Sequence, residues 1–451
     1  MSEEATLDEY ADSAPAEGSE QPESRFWGTI PERWELVDGT DVYDVNPNPK
    51  SDEEPNTYIE MDALDTELPW PRYFGERNAS EYSGKTFTAG DTLFARITPC
   101  TENGKAALVP EMDTKVGIGS TEYAVLSPKT ERINSWYLYY VGKSHPVHDY
   151  AISRMRGSTG RQRVPYSVFR KELNVALPPL EEQRQIATVL YNIDRAIQKT
   201  EEVGKQAKRA KKGVAQSLVH EGIGSPKTKS AWMGKIPAHW DVREFSELIE
   251  LSQNGIYIDS DDYGGPYPII KMGDIFGGVK LDEPISERVH LDVDDIDKYA
   301  TAEGDLVFAR HAQAGWGAGD CTYVPEMDET AVVESNMVQV RLNNEVDPMF
   351  YAQYFNSEIG VKSIKRITTT GNIKSISQGD LMNLKVPVPP REEQEEIAET
   401  LSVFDEQAEH SESEVERLRR LKQGLVQDLL SGTVRTTDTN IEVPEEIAQH
   451  G

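Results

Sequence analysis

Two long stretches of the chain set apolar residues alternately three and four positions apart. In the first these are Ile186, Val189, Ile193, Ala196, Val203, Ala207, Ala210 and Val214. In the second they are Ile397, Leu401, Phe404, Ala408, Val415, Leu418, Leu425 and Leu429. An apolar period of seven predicts a left-handed coiled coil rather than a lone surface helix. Each stretch follows a proline pair, which cannot sit inside a helix, and then acidic residues where a helix dipole favours them. Pro178-Pro179-Leu180-Glu181-Glu182-Gln183 leads into Ile186, and Pro389-Pro390-Arg391-Glu392-Glu393-Gln394 leads into Ile397, 211 residues later. A helix of about 40 residues is predicted behind each motif, ~60 Å long at the usual rise. Gly213 and Gly424 hold equivalent places in these helices. Glycine inside a helix costs about 1 kcal/mol relative to alanine, so its presence in both points to a close backbone approach or a bend.

Outside the helices the apolar runs are short and bounded by turn residues, which predicts strands. They also repeat. Gly28-Thr29-Ile30-Pro31-Glu32-Arg33-Trp34 returns as Gly234-Lys235-Ile236-Pro237-Ala238-His239-Trp240. Gly90-Asp91-Thr92-Leu93-Phe94-Ala95-Arg96 returns as Gly304-Asp305-Leu306-Val307-Phe308-Ala309-Arg310, and Val109-Pro110-Glu111-Met112-Asp113 as Val324-Pro325-Glu326-Met327-Asp328. Four matched stations in one order establish an internal duplication. Further strands are predicted at Ala106–Val109 and Val332–Val340, and short helices at Ser135–Val141 and Pro348–Ile359. The expected fold class is α+β: two similar domains, each followed by a long helix, with the helices packing as an antiparallel coiled coil. The expected boundaries are an acidic disordered tail over 1–24, a first domain over 25–177 and a central helix over 178–224. A linker over 225–233, a second domain over 234–388, a distal helix over 389–432 and a loose polar tail over 433–451 complete the chain.

Charge complicates the picture. With 78 acidic against 47 basic residues the net charge is −31, which taken alone argues against a nucleic-acid partner. Acid spread through tails, loops and helices alike is the surface of a salt-adapted microbial protein. Two cysteines, Cys100 and Cys321, build no disulfide framework or cysteine zinc cluster. No apolar run is long enough for a membrane span or a signal core, so a cytoplasmic protein is expected.

A search for catalytic chemistry finds little. Gly84-Lys85-Thr86 and Gly142-Lys143-Ser144 lack the earlier glycine of a phosphate loop. Gly315-Trp316-Gly317-Ala318-Gly319 lacks dinucleotide-binding spacing, and no Asn/Asp-Pro-Pro-aromatic element is present. His145 and His148 form a weak pair for a metal. Asp113-Thr114-Lys115 has no lysine in its twin Asp328-Glu329-Thr330.

Basic clusters remain. Arg154, Arg156, Arg161, Arg163, Arg170 and Lys171 surround Gly157 and Gly160; Lys362, Lys365, Arg366, Lys374 and Lys385 surround Gly371. Both groups precede the Pro-Pro motif, and Arg96 and Arg310 end the paired strands. A solvated face balancing nearby acid accounts for any one of these residues. Matching positions in both repeats favour phosphate contact and base readout, to which the guanidinium fork is suited. The candidate DNA contacts are Arg96, Thr98, Lys105, Arg154, Arg156, Arg161, Arg163, Arg310, Lys365, Arg366, Asn372 and Lys374. Lys208, Arg209, Lys211 and Lys212 are expected instead to pair with Glu412, Glu414 and Glu416 across the coiled coil.

Two variable domains, each opened by Gly-x-Ile-Pro-x-x-Trp and closed by Pro-Pro-x-Glu-Glu-Gln-x-x-Ile-Ala, resemble the specificity subunit of type I restriction-modification systems. The resemblance spans residues 28–432. It implies that each domain reads one half of a split, asymmetric DNA target. It implies that the helices set the gap and dock two methyltransferase subunits, through Pro178, Pro179, Glu182, Gln183 and Ile186 and their twins Pro389, Pro390, Glu393, Gln394 and Ile397. S-adenosylmethionine, ATP and magnesium belong, on this resemblance, to the methyltransferase and to a restriction and translocase subunit. This chain would itself be non-catalytic and bind no cofactor or metal. Two alternatives stay open: the specificity subunit of a type IIB-like restriction system, and a coiled-coil scaffold that ignores DNA.

Overall fold

The runs Leu93-Phe94-Ala95 and Leu306-Val307-Phe308-Ala309 are apolar at every position because their strands are buried on both faces. Phe94 packs into one core with Leu126, Tyr137 and Ile186, while Leu93 and Ala95 pack into another with Ile59, Phe87 and Val125. Leu306 and Phe308 likewise face one core, and Val307 and Ala309 another. The computed structural model describes residues 23–50, 54–78, 80, 82–224, 227–311, 317–369, 374–437 and 439–449. Of the expected acidic tail, residues 1–22 lie outside the described residues. The chain divides into two units, Met1–Thr200 with Glu414–Gly451, and Glu201–Ser413.

In the first unit an antiparallel sheet runs in the order Tyr43–Val45, Tyr123–Pro128, Thr92–Ala95, Ala106–Leu108. A second sheet has the order Gly75–Arg77, Asn56–Ile59, Gly117–Gly119, Lys85–Phe87, its central pair parallel. Helices Ser135–Lys143 and His145–Ser153 follow. The second unit repeats the first sheet as Ile249–Asn254, Met337–Leu342, Leu306–Ala309, Cys321–Tyr323. Its second sheet joins Arg288–Val289, Tyr263–Ile270 and Val332–Val333, again with one parallel pair. The single strand expected over Val332–Val340 is therefore two, split where Met337 N–H bonds Glu334 O at 3.1 Å. The helix expected over Pro348–Ile359 stops at Asn356, because Ser357 caps a new helix, Glu358–Ile367, by accepting from Gly360 N–H.

The long helices run over Leu180–Glu221 and Arg391–Ser431. The opening and closing motifs of each repeat meet at their start. Trp34 Nε1 donates to Glu182 at 3.1 Å and Trp240 Nε1 to Glu393 at 3.0 Å. Gln183 and Gln394 each donate back to the carbonyl of Pro178 or Pro389 at 2.8 Å. Their carbonyls accept from Asn134 N–H and Asp347 N–H, at 2.9 and 2.7 Å. Glu182, Gln183, Gln394, Ile186 and Ile397 are buried, as are Pro178 and Pro389, while Pro179 and Pro390 are exposed. These motif residues fasten each long helix to its domain, and most of them offer no free surface for docking.

Three expectations change. Within the presumed linker, Thr228–Ala231 is a strand paired with Gly234–Pro237. The presumed loose tail is packed: Ile447 is fully buried, Arg435 forks onto Glu182 at 2.6 and 2.8 Å, and Trp136 and Asn134 donate to Glu446 O and Ile447 O. The polar look of 433–449 hid one apolar anchor and one arginine needed by a buried carboxylate. Finally, Gly213 and Gly424 face open space, and the close approach lies at Gly204, whose added Cβ would stand 3.1 Å from Ser411 Cβ.

That last correction shifts the seam of the first helix. Val203 and Ala210 are exposed. The inward positions are Leu190, Asp194, Ile197, Gly204, Ala207, Lys211 and Ala215, with polar and small residues filling heptad places that an apolar count passes over. In the second unit Lys208 pairs with Glu412 and Lys211 with Asp405, each at 2.6 Å, so the helices run antiparallel there. In the first unit Leu429 and Leu430 share a core with Ile186 and Leu190, again antiparallel. Arg209 turns to Glu202 of its own helix, and Glu414 and Glu416 to Arg417 and Arg419 of theirs.

Candidate nucleic-acid interface

In the first unit the strand Thr92–Ala95 runs on into Arg96, whose N–H bonds Glu122 O at 3.0 Å. Residues 156–163 form a tight hairpin beside it, closed by paired bonds between Arg156 and Arg163 at 3.0 and 2.9 Å. Gly157 and Gly160 make the turn possible, with φ of 135° and 79°, where a side chain would be strained. The hairpin's return limb pairs with the extended strand through Thr98 N–H to Gln162 O (3.0 Å) and Val164 N–H to Arg96 O (2.8 Å).

This places Arg96, Thr98, Arg156, Arg161 and Arg163 together at one end of the sheet, but most are committed to protein partners. Arg163 forks onto Glu122 at 2.8–2.9 Å. Arg96 donates Nε to Val164 O at 2.8 Å, lies 3.6 Å from Glu122, and stacks 4.1 Å over the Tyr166 ring. Lys85 and Arg170 also face that ring, at 5.1 and 5.7 Å. Thr98 donates to Glu102 at 2.7 Å. Arg154 is paired with Glu172 at 2.8 Å, and Lys105 with Asp62 at 3.0 Å. Arg156 and Arg161 remain exposed at the hairpin, with no side-chain partner among the described residues.

The second unit builds the same edge differently. Arg310 N–H bonds Asn336 O at 3.0 Å and Arg310 O accepts from Ile376 N–H at 2.9 Å, matching Glu122 and Val164 of the first unit. Its guanidinium reaches Ser335 O at 3.4 Å, while Nε is buried without an acceptor among the described residues. Lys365 and Lys374 are exposed. Arg366 stacks on Trp232 at 4.8 Å and donates to its carbonyl at 3.3 Å. Asn372 lies outside the described residues. Sequence reasoning missed Glu122 and Tyr166, which hold arginines from distant positions. It also missed Tyr257, 74% exposed beside Ile256, whose N–H bonds Val333 O at 2.7 Å. A lone aromatic in a polar loop carries no periodic signal that would single it out.

Among the described residues no group of three or more histidines, cysteines and carboxylates could hold a metal, and no helix is long and apolar enough to cross a membrane. His145 pairs with Asp149 at 3.0 Å and His148 faces Thr101 O at 2.7 Å. The model of the type I restriction modification DNA specificity domain matches the chain twice, over residues 31–208 and 237–418. The chain belongs to that family.

As a specificity subunit it serves DNA recognition in a type I restriction-modification complex. It is 27% identical to the type I restriction enzyme MjaVIII specificity subunit of Methanocaldococcus jannaschii, over 72% of this chain and 76% of that one. The putative MjaX specificity subunit of the same organism is 26% identical over 90% of this chain and 95% of its own length. Among solved structures, the S subunit of a type I system from M. genitalium covers 91% of this chain and 99% of its own, with a TM-score of 0.56 at 13% identity. A chain of another type I system gives 0.51 at 19% identity, over 90% and 100%. At such identities these structures establish the shared fold. In this specificity subunit, then, the paired sheet edges at Arg96 and Arg310 are the places where two copies of one frame present different side chains.

Proposed function

We propose that each unit of this specificity subunit reads one half of a bipartite, asymmetric DNA target, at the sheet edge marked by Arg96 or Arg310. The observation that carries this reading is the repetition of one backbone frame with different side chains at the same edge. Two identical readers would imply a symmetric target; two different ones imply different half-sites. The exposed basic groups, Arg156 and Arg161 in the first unit and Lys365 and Lys374 in the second, supply phosphate contact, which positions a reader without specifying sequence. The long helices set the gap and carry two methyltransferase subunits, joined in the full complex by restriction and translocase subunits. Because the proline and Glu-Gln motif residues are largely turned inward, the partners dock on exposed helix faces beyond them. In this reading the chain is non-catalytic and binds no cofactor. S-adenosylmethionine, ATP and magnesium are held by the partners, which supply methyl transfer and cleavage.

The test is a domain exchange. Residues 28–175 are replaced by the equivalent domain of a relative, and methylated adenines are mapped across the host genome. One half-site changes and the other stays. A change in both halves, or in neither, contradicts the two-reader assignment.

A further inference from the structure

A carboxylate set where two helices and a domain meet is found in each unit, completely buried in the first and 27% exposed at its side chain in the second. In the first, Asp194 on the first long helix is completely buried. It accepts from Tyr140 Oη at 2.8 Å, from the domain helix Ser135–Lys143, and pairs with Lys422 of the second long helix at 2.6 Å. In the second unit Asp405 lies on the second long helix. It accepts from Gln353 Nε2 at 2.8 Å, from the domain helix Pro348–Asn356, and pairs with Lys211 of the first long helix at 2.6 Å. Asp194 and Asp405 are 211 residues apart, as are Lys211 and Lys422 and the two Pro-Pro motifs. The arrangement has been copied with the helices exchanging roles: the acid of one unit is matched by the acid of the other, each with a lysine from the opposite helix.

Such a pair is poor glue. Desolvating two charges offsets most of their attraction, and apolar residues of similar volume hold helices at least as well. What a buried pair does well is penalise every alignment but one, as a single polar residue does in a coiled-coil seam. The neighbouring seam sharpens the penalty. A slip of one heptad would set Asp194 against Val415 or Leu429, and Asp405 against Gly204 or Leu218. None of these could answer a carboxylate. The third group, Tyr140 or Gln353, adds the domain to the same node, so one acid ties domain, first helix and second helix together.

We infer that Asp194 with Lys422, and Asp405 with Lys211, are alignment keys that seat each recognition domain on the helix pair and thereby fix the gap between the half-sites. Tyr140, Asp194, Lys422 and their twins are positioning residues and do not touch DNA. The inference rests on the two-reader function proposed above.

The experiment uses the full subunit assembled with its methyltransferase partner, on a DNA library holding the wild-type half-sites at every gap within about three base pairs of the native one. Asp194→Leu combined with Lys422→Met replaces the key by apolar groups. It is expected to unfold near the wild-type temperature, yet to raise methylation at gaps one base pair off by at least tenfold relative to the native gap. Lys422→Arg keeps the charge and is expected to keep the native gap. A folded double variant with the wild-type gap preference overturns the inference. If that variant does not fold, Tyr140→Phe deletes one hydrogen bond and almost no volume. At least a twofold relaxation of the gap is then expected, and none overturns the inference. Failure of the underlying reading is seen separately, because the wild type would then methylate an uninterrupted site or show no gap preference at all.

Discussion

Arg96 and Arg310 leave the same strand of their two units, and the backbone around each is superimposable in its bonding: N–H to residue 122 or 336, C=O from residue 164 or 376. The side chains around them are not alike. Arg96 lies between a carboxylate, Glu122, and an aromatic ring, Tyr166. The residue at the place of Glu122 is Asn336, and the residue two beyond Ile376, at the place of Tyr166, is Gln378, which turns to Ser252 at 2.8 Å. Arg96 shares Glu122 with Arg163 and is stacked on a ring; Arg310 has no carboxylate beside it and a buried Nε without an acceptor among the described residues. Duplication has copied the frame that delivers an arginine to the edge, and divergence has changed the groups that surround it. In the first unit the hairpin adds two exposed arginines, Arg156 and Arg161.

The clamps at the start of the long helices sharpen the comparison most. Glu182 is buried and answered by Arg435, whereas Glu393 is answered by the half-exposed His239 at 2.7 Å and by Ile223 N–H at 2.9 Å. Removing the charge partner of a buried carboxylate costs about 3–5 kcal/mol, while an exposed pair contributes at most about 1 kcal/mol. Arg435→Met is therefore expected to lower the thermal midpoint of the first unit by several degrees in calorimetry of the whole chain. His239→Asn should barely move the second. Equal losses would mean that the two clamps are interchangeable.

A second asymmetry is one of pH. Burial, and after it the charge of Lys422, push the Lys143 amine down to about 8 from 10.5. The matching position in the second unit is Asn356, a neutral amide that donates to Cys321 O at 2.6 Å. Below the folded value Lys143 is charged in both folded and unfolded chains, and the folded state bears the cost of burying that charge. Between about 8 and 10.5 the unfolded chain holds the extra proton, so this group makes stability rise with pH. At about 1.4 kcal/mol per pH unit the rise is at most ~3.5 kcal/mol. Lys143→Met is expected to flatten it. Denaturant titrations of wild type and variant at pH 7.5 and 10 measure the difference, and parallel changes in both would exclude Lys143 as the cause.

The third contrast concerns DNA directly. Arg310→Ala is expected to weaken binding of the assembled methyltransferase by ~1–3 kcal/mol and to relax sequence at one half-site, as loss of a base contact does. Arg96→Ala should act mainly on the first unit's stability, by about 1 kcal/mol for the lost hydrogen bond and stack, with the motif unchanged. Competition binding with single-base variants of each half-site separates the two. Equal loss of motif fidelity in both would show that Glu122 and Tyr166 leave Arg96 free.

The duplication, the antiparallel helices and the α+β class were legible because strands and long helices announce themselves by period, and the same stations occur twice. What escaped reading was decided by contacts distant in sequence. Asp194 and Lys211 sit on the seam of the first helix, where an apolar count chooses Ile193 and Ala210 instead. Ile447 and Arg435 look like a polar tail until Glu182, some 250 residues earlier, is seen to need a cation. Among the basic residues, sequence could rank composition but not pairing. Arg154 and Arg163 read as free charge, yet Glu172 and Glu122 hold them.

The smallest expected effects fall on Arg156 and Arg161, and they bear on how a chain at −31 meets a polyanion. Each phosphate neutralised releases counterions, so affinity falls with salt with a slope of about 0.9 per contact. Net negative charge acts oppositely, since its repulsion of DNA is screened as salt rises. At about 1 M salt the Debye length is only ~3 Å, and close contacts alone remain. The wild-type complex is therefore expected to bind its cognate duplex with a flat or rising affinity from moderate to molar potassium chloride. Arg156→Ala and Arg161→Ala should each change that slope by about one contact, with the methylated motif intact, because phosphate contacts position without specifying. Their loss is thus spread evenly over all sequences, unlike that of Arg310→Ala. The check is a dissociation constant at several salt concentrations with folding monitored at each. A steep loss of wild-type affinity with salt would refute the screening argument. An unchanged slope in both variants would place the first unit's phosphate contacts elsewhere than on the Gly157–Gly160 hairpin.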